Sequence, residues 1–189
     1  AFAYLTTTRG ISRTVLSEFI KRRMIYEDRK YHNAVFVGYD KSGVARHAHK
    51  HGTFTGGKAF KGNEESSDPK YSFHWTGKSG RIYVFEAPID LLSFLTLYQK
   101  EWEQHSYVAL CGLSEQGLFQ MLEDVPYIRQ VALCLDRDRA GLQAEERIQK
   151  NLEGRGYREV FPLFPSGKDW NEDLQELMAK GRRENLQMQ

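Results

Sequence analysis

Three apolar runs in the second half of this chain each lead into acids. Glu86 follows Arg81-Ile-Tyr-Val-Phe85, with Asp90 four residues further on. Asp136 and Asp138 follow Gln130-Val-Ala-Leu-Cys-Leu135, and Asp169 follows Glu159-Val-Phe-Pro-Leu-Phe164 and the turn Pro165-Ser-Gly-Lys168. Asp136 and Asp138 are two apart on an extended exit, so their side chains point the same way. Glu86 and Asp90 can aim at one point across a strand-to-helix turn. Ionised carboxylates gathered like this repel one another and raise at least one pKa unless a cation lies among them. Oxygen donors without His or Cys suit Mg²⁺ or Mn²⁺, and Mg²⁺ is commonly bound through one or two carboxylates plus substrate phosphates. One acid after a buried strand can simply mark the chain re-entering water or a helix N-terminus. Their order across three strand ends points to a site.

The elements that must position these acids alternate. The runs 81–85, 107–111, 130–135 and 159–164 read as strands. Helical stretches over 89–98, 114–123 and 140–152, and one from Trp170, separate and follow them. Uniformly apolar strands alternating with helices imply a parallel sheet covered on both faces. In such sheets ligands bind beyond the carboxyl ends of the strands, where the acids fall. Gly112-Leu-Ser114 after the second run is a small-residue turn that lets backbone approach closely. Asp169 and Glu172 have the spacing of a capping box. The fold class expected is α/β, with a small α+β domain over 1–78, the parallel-sheet domain over 79–180 and a tail over 181–189.

The first half opens with a helix signal: Ser12 as cap, then Val15, Leu16, Phe19 and Ile20 at helical spacing. Ala34–Tyr39 reads as a strand, Asp40-Lys-Ser-Gly43 as a turn and Val44–Phe54 as its hairpin partner. Residues 55–70 read as a loop, and Tyr71-Ser-Phe-His-Trp75 as a last short strand of this half's sheet. His47, His49 and His51 alternate and share a face, expected to be an exposed basic one, with a metal site as the alternative. Lys58, Lys61 and Lys70 could grip a phosphate backbone. Thr55-Gly-Gly-Lys58 lacks the Gly spacing and strand context of a Walker loop. Tyr71, Phe73 and Trp75 share a strand face suited to core packing, or to stacking on bases.

The composition is that of an ordinary globular protein, with 189 residues, 40% of them hydrophobic and 28% charged. No apolar run approaches the roughly 18–20 residues of a membrane span, so no membrane partner is expected. The N-terminus has no signal-peptide pattern and no Met, which reads as part of a longer chain. Cys111 and Cys134 sit in apolar runs, which suits buried free thiols in a reducing cytoplasm. Two cysteines cannot form a four-thiolate zinc site. A net charge of +2 is too small to argue nucleic-acid binding by itself.

The order of acids resembles the Toprim domain shared by topoisomerases, bacterial-type primases and some nucleases: a Glu after the first strand (Glu86) and an Asp-x-Asp after the third (Asp136, Asp138). The primase branch is the nearest likeness, through Asp90 one turn after Glu86, Gly167-Lys-Asp169 after the fourth strand, and Asp136-Arg-Asp-Arg-Ala-Gly141 entering a helix. The likeness covers about residues 80–178 and implies a Rossmann-like, Toprim-like sheet. Ala3-Tyr-Leu-x3-Arg-Gly-Ile-Ser12, Tyr31-His-Asn33 and Ser67-Asp68 near Lys70-Tyr-Ser-Phe73 resemble a small domain of unknown function that precedes Toprim-like domains in mobile-element proteins. Primases carry a larger basic sub-domain ahead of the Toprim, and about 78 residues are too few to hold all of it.

The resemblance implies metal-dependent phosphoryl chemistry on DNA or RNA. The partners it implies are a single-stranded template and nucleotides, with a helicase or relaxase alongside. Glu86 would be general acid/base or metal ligand, Asp136 and Asp138 would hold Mg²⁺ or Mn²⁺, and Asp90 and Asp169 would complete the metal or water shell. Two metals could activate a 3′-hydroxyl and stabilise the leaving pyrophosphate. Arg137, Arg139, Lys168 and Lys58 are the candidate phosphate contacts; the arginines could equally be solvated or paired with neighbouring acids. Primer synthesis leads, ahead of DNA cleavage by the same acids and of a non-catalytic binding module. An α/β phosphatase would need an Asp nucleophile where Glu86 stands.

Overall fold

The structure, a computed structural model, describes residues 1–57, 59–112 and 114–187. A π-helical turn, Tyr4–Thr8, leads into helix α1, Arg13–Lys21, which buries Val15, Leu16 and Phe19 as its spacing requires. Ile20 is exposed instead. Ser12 stands at the N-cap without a capping bond from its side chain; its N–H donates to Thr96 Oγ1 at 3.0 Å. The helix start is therefore set by a tertiary contact. Strands β1 (Ile25–Glu27), β2 (Ala34–Tyr39), β3 (Ala45–His51) and β4 (Lys61–Asn63) form an antiparallel sheet in chain order. Gly43 closes the β2–β3 turn at φ +76°, a conformation that favours glycine.

The second sheet holds β5 (His74–Trp75), β6 (Arg81–Phe85), β7 (Ser106–Ala109), β8 (Gln130–Leu133) and β9 (Glu159–Pro162), in the order β5-β7-β6-β8-β9. Strands β6 to β9 are parallel, and β5 runs antiparallel along the β7 edge. The short strand expected in the first half's sheet thus pairs with the second: His74 lies against Val108, and the Ala109 N–H donates to the Phe73 carbonyl at 2.8 Å. Helices α2 (Pro88–Leu97), α3 (Gln116–Asp124), α4 (Arg139–Gly154) and α5 (Trp170–Gln187) complete an α/β fold with the small α+β unit ahead of it.

Alternation along the parallel strands divides the core into two layers. Ile82, Val84, Val108, Val131 and Leu133 face Leu118, Leu122, Ala144, Ile148 and Leu152 of α3 and α4. Phe85, Tyr107, Ala132 and Cys134 face Leu92, Phe94, Leu95 and Trp170 of α2 and α5. The first half packs onto this second layer. The Phe19 ring lies 5.2 Å from Phe73, 5.4 Å from Trp75 and 5.6 Å from Trp102, and Phe36 lies 5.4 Å from Phe73. Each buried side chain of this size contributes about 1.5–3 kcal/mol, so this aromatic seam holds the two halves on one continuous core. Phe73 and Trp75 are core residues, with Tyr71 at the margin. Close approach also fixes β2: a Cβ at Gly38 would sit 1.7 Å from the Tyr71 carbonyl oxygen, so only glycine fits.

The histidine face is inverted from expectation. His47, His49 and His51 are buried at 3%, 6% and 3% exposure, so they form no exposed basic surface. His51 stacks on Tyr4 and His49 lies against Phe36, which draws that face of β3 inward. Arg46 and Lys50 take the outer face and pair with Asp40 and Glu64. Cys134 is buried, Cys111 is partly so, and both are free. No helix among the described residues is long and apolar enough to cross a membrane.

Candidate active site

The acids meet at the carboxyl edge of the second sheet, and each is held differently. Glu86 leaves β6 half-buried, and its carboxyl is raised above the usual range by burial and then by the Asp138 charge. Pro88 opens α2 and places Asp90 in its first turn, facing inward. Asp90 is 7% exposed and accepts the Asn171 N–H at 3.3 Å. Burial, reinforced by Asp136 and Asp169, pushes its carboxyl well above the ordinary range.

Asp136 follows the two buried residues that extend β8. Burial comes first and repulsion from Glu86, Asp169 and Asp138 second in raising its carboxyl to about 7. Its Oδ1 is buried and has no hydrogen-bond partner among the described residues. A Cβ on Gly141 would stand 2.1 Å from the Asp136 carbonyl oxygen, so the absent side chain lets the first turn of α4 close onto this strand exit. Gly141→Ala must therefore displace Asp136. We expect at least 10-fold weaker Mn²⁺ binding by calorimetry with the circular-dichroism spectrum retained; undiminished binding would show that the loop adapts.

Asp138 does two things. Its Oδ1 caps α4, accepting from the Ala140 and Gly141 N–H groups at 3.0 Å each, and its Oδ2 lies 3.8 Å from Lys168 Nζ. Asp169 is likewise a cap, accepting the Glu172 N–H at 2.8 Å. The reciprocal bond of a capping box is absent among the described residues: the Glu172 carboxylate takes the Lys168 N–H instead, and Asp173 takes those of Ser166 and Gly167. The Arg137 N–H donates to the Lys168 carbonyl at 2.7 Å and pins the two acid-bearing loops together. The Arg137 guanidinium reaches the Ser166 carbonyl rather than an acid. Arg139 is exposed at the start of α4, and Lys58 lies outside the described residues.

Geometry adds residues that spacing did not single out. Arg9, from the first half, donates to Tyr4 Oη at 2.7 Å and to Asn171 Oδ1 at 3.1 Å, while Asn171 Nδ2 donates back to the Arg9 carbonyl at 2.8 Å. Asn171 therefore joins Arg9 to Asp90. Lys61 of β4 is near enough to lower the proton affinity of Glu86 and Asp90. Both cations line a cavity of about 780 Å³ with Tyr4, His51, Phe54 and Gln175. Arg9 stands in the Arg-Gly-Ile-Ser stretch noted in the sequence, but nothing local signals a partner 162 residues away.

The all-oxygen donor set and the orphaned Asp136 Oδ1 fit a hard divalent cation. Among the described residues no three His, Cys, Asp or Glu side chains are gathered into a ready-made metal shell.

Comparison with known proteins finds a family match for each half of the chain. Residues 3–79 match the family "Protein of unknown function (DUF3991)", and residues 83–174 match the family "Toprim-like". The uncharacterized protein pXO2-78 of Bacillus anthracis is 28% identical over 209 residues, 95% of this chain and 60% of that protein. The uncharacterized protein MG010 homolog of Mycoplasma pneumoniae is 30% identical over 102 residues, 53% of this chain and 46% of that protein. The chain thus spans about half to three-fifths of these relatives. Among solved structures, the primase fragment of the bacteriophage T7 primase-helicase protein superposes with TM-score 0.66 at 20% identity, over 92% of this chain and 71% of that one. The DnaG primase catalytic domain bound to ssDNA superposes with TM-score 0.61 at 16% identity, over 97% and 70%. These superpositions take in the first half as well, where sequence likeness to primases was confined to about 80–178. The chain is therefore a Toprim-like domain, residues 83–174, preceded by a DUF3991 domain, residues 3–79, on the fold of a primase catalytic core.

Proposed function

We propose that this chain performs Mg²⁺- or Mn²⁺-dependent nucleotidyl transfer on nucleic acid, most simply primer synthesis on a single-stranded template, within a mobile-element replication or transfer protein. One observation carries the reading: a buried, unpartnered carboxylate oxygen on Asp136, among Glu86, Asp138, Asp90 and Asp169, beside a cavity lined by Arg9 and Lys61. Asp136, Asp138 and Glu86 would hold the cation, with Asp90 and Asp169 behind them. A divalent ion held there supplies Lewis-acid stabilisation of phosphate charge. Glu86, with its raised proton affinity, would accept a proton from an attacking hydroxyl. Arg9 and Lys61 would hold phosphates, with Lys168 on the opposite loop; Arg137 and Arg139 are further exposed candidates. The DnaG structure bound to ssDNA supports a nucleic-acid partner.

A second reading is favoured by the use of Asp138 and Asp169 as helix caps and by the lack of a gathered shell among the described residues. It is a non-catalytic Toprim-like module that binds nucleic acid or a replication partner. Calorimetric titration of Mn²⁺ into wild type and into Asp136→Ala/Asp138→Asn separates the two, the Asn retaining the cap. Binding in wild type that is lost in the variant, with incorporation of labelled nucleotide on single-stranded DNA, is the expected result. No binding in wild type even with single-stranded DNA present would favour the module, and cleavage without incorporation would make the protein a nuclease.

A further inference from the structure

Three large aromatic side chains are exposed together on the first domain: Tyr31 at 65%, Phe54 at 72% and Phe60 at 57%. They line one cleft of about 540 Å³, Tyr31 from the β1–β2 turn and the phenylalanines from the segment between β3 and β4. The two ends of that segment are tied down. The Gly52 N–H donates to the Phe60 carbonyl at 2.7 Å, and Thr53 Oγ1 donates to the His32 carbonyl at 3.0 Å, bracing it against the turn that carries Tyr31. Clustered exposed aromatics on a single chain mark an interaction surface rather than a packing accident.

The cleft's surroundings say what it meets. Phe54 and Ala59 also line the Arg9/Lys61 cavity, so the aromatic cleft and the cationic one adjoin at these residues. Among the described residues neither cavity is lined by Asp or Glu. Lys30 Nζ lies over the Tyr31 ring at 4.7 Å from its centre, which adds positive charge to the far rim. Aromatic faces followed by fixed cations, in that order toward an acidic edge, match a chain that alternates flat bases and phosphates. An amphipathic protein helix would find acid-free cationic walls where it needs a mixed rim.

We propose that Tyr31, Phe54 and Phe60 form a stacking platform for unpaired bases, and that single-stranded nucleic acid runs from it past Phe54 into the Arg9/Lys61 cavity and on toward Glu86 and Asp136. The inference rests on the nucleic-acid reading above and adds to it a path and a recognition mode. Base–aromatic stacking tolerates any base, so the platform contributes affinity without sequence preference.

The test is fluorescence anisotropy with a short labelled oligothymidylate in EDTA, where no metal chemistry takes part, together with quenching of a 2-aminopurine base in the same strand. Phe54→Leu/Phe60→Leu keeps the apolar surface and removes the rings. It should bind about 5- to 100-fold more weakly and lose the quenching, and Phe54→Trp should restore both. Both rings are exposed, so melting temperature should be unchanged. Wild-type binding that the Leu pair leaves intact, but Arg9→Ala/Lys61→Ala abolishes, would overturn the platform and leave the nucleic-acid reading standing. No binding of the oligonucleotide by wild type would overturn both. Wild type that sediments as a dimer, and the Leu pair as a monomer, would assign the cleft to a second copy of this chain and overturn the proposal.

Discussion

Replacing Asp136 by Asn should make the metal-free protein more stable and at the same time abolish the divalent-cation binding we propose for it. The Asp136 carboxyl is raised from 3.8 to about 7 by burial and by Glu86, Asp169 and Asp138. The folded state therefore holds its proton more tightly than the unfolded chain does. Stability is lost as pH rises through the interval from about 4 to 7, and the full penalty persists above it. A shift of this size corresponds to about 4 kcal/mol at pH 8, reduced to roughly 3 kcal/mol because solvent screens the partly exposed carboxyl. Asn removes the charge and with it the repulsion. Denaturation in urea with EDTA should show a gain on the order of 3 kcal/mol at pH 8 and less than half of that at pH 5. Added Mn²⁺ should stabilise wild type and leave the variant unmoved. A variant less stable than wild type at pH 8 would mean that the carboxylate is compensated in the fold, against the reading of Oδ1 as orphaned.

The buried histidines predict an effect of opposite sign. His47 and His51 are each held near 4 chiefly by burial, and His49 is lowered for the same reason. These imidazoles are neutral in the folded protein and charge on unfolding once the pH falls below 6.5. The stability present at neutral pH is therefore lost progressively between about 6.5 and 4. At pH 5 the loss is about 2 kcal/mol for each of the two, a large part of the roughly 5–15 kcal/mol that holds a typical domain. Among the described residues His47 has no hydrogen-bond partner on either nitrogen, so His47→Leu sacrifices no bond there. It should raise stability at pH 5 by about 2 kcal/mol and change it little at pH 7.5, read from urea midpoints followed by tryptophan fluorescence. Because Asp136 and the histidines act in overlapping windows with opposite slopes, wild type should show a flattened pH profile. Asp136→Asn should unmask a steeper loss of stability in acid. A flat Asp136→Asn profile beside a wild type that loses stability with rising pH would mean that the imidazoles are not held neutral by the fold, and a profile unchanged from wild type would mean that the Asp136 carboxyl is not raised.

The platform and the acid edge lie in different domains, and the connection between them runs through few groups. Asn171 holds Asp90 with its backbone N–H and Arg9 with its side chain, and its Nδ2 also donates to Ser93 Oγ at 2.9 Å. A residue that only follows Trp170 in the sequence thus sets how the cationic cavity of one domain meets the carboxylates of the other. Gly141 is comparable: in the sequence it belongs to an Asp-x-Asp-x-Ala-Gly run, and in space it is the gap into which the Asp136 backbone fits.

The strand–helix alternation of the second half, the acids at its strand ends and the shared face of His47, His49 and His51 were legible in the sequence alone. Each depends on a period of two or near four residues and on local chain direction. Which way the histidine face turned was decided only in three dimensions, because strand alternation separates two faces without saying which meets a core. Here Tyr4 and Phe36 draw the imidazoles inward. The strand at 74–75 joined the second sheet because its partner, Ser106–Ala109, is some thirty residues away and no local pattern names it. The acids of Asp138 and Asp169 became caps as well as candidate ligands because a helix begins beside each, leaving N–H groups that need acceptors. Residue types and order determined which groups could do the chemistry. Contacts such as Arg9 with Asn171 and the aromatic seam around Phe19 join residues far apart in the chain, so only the tertiary fold could decide which groups stand together.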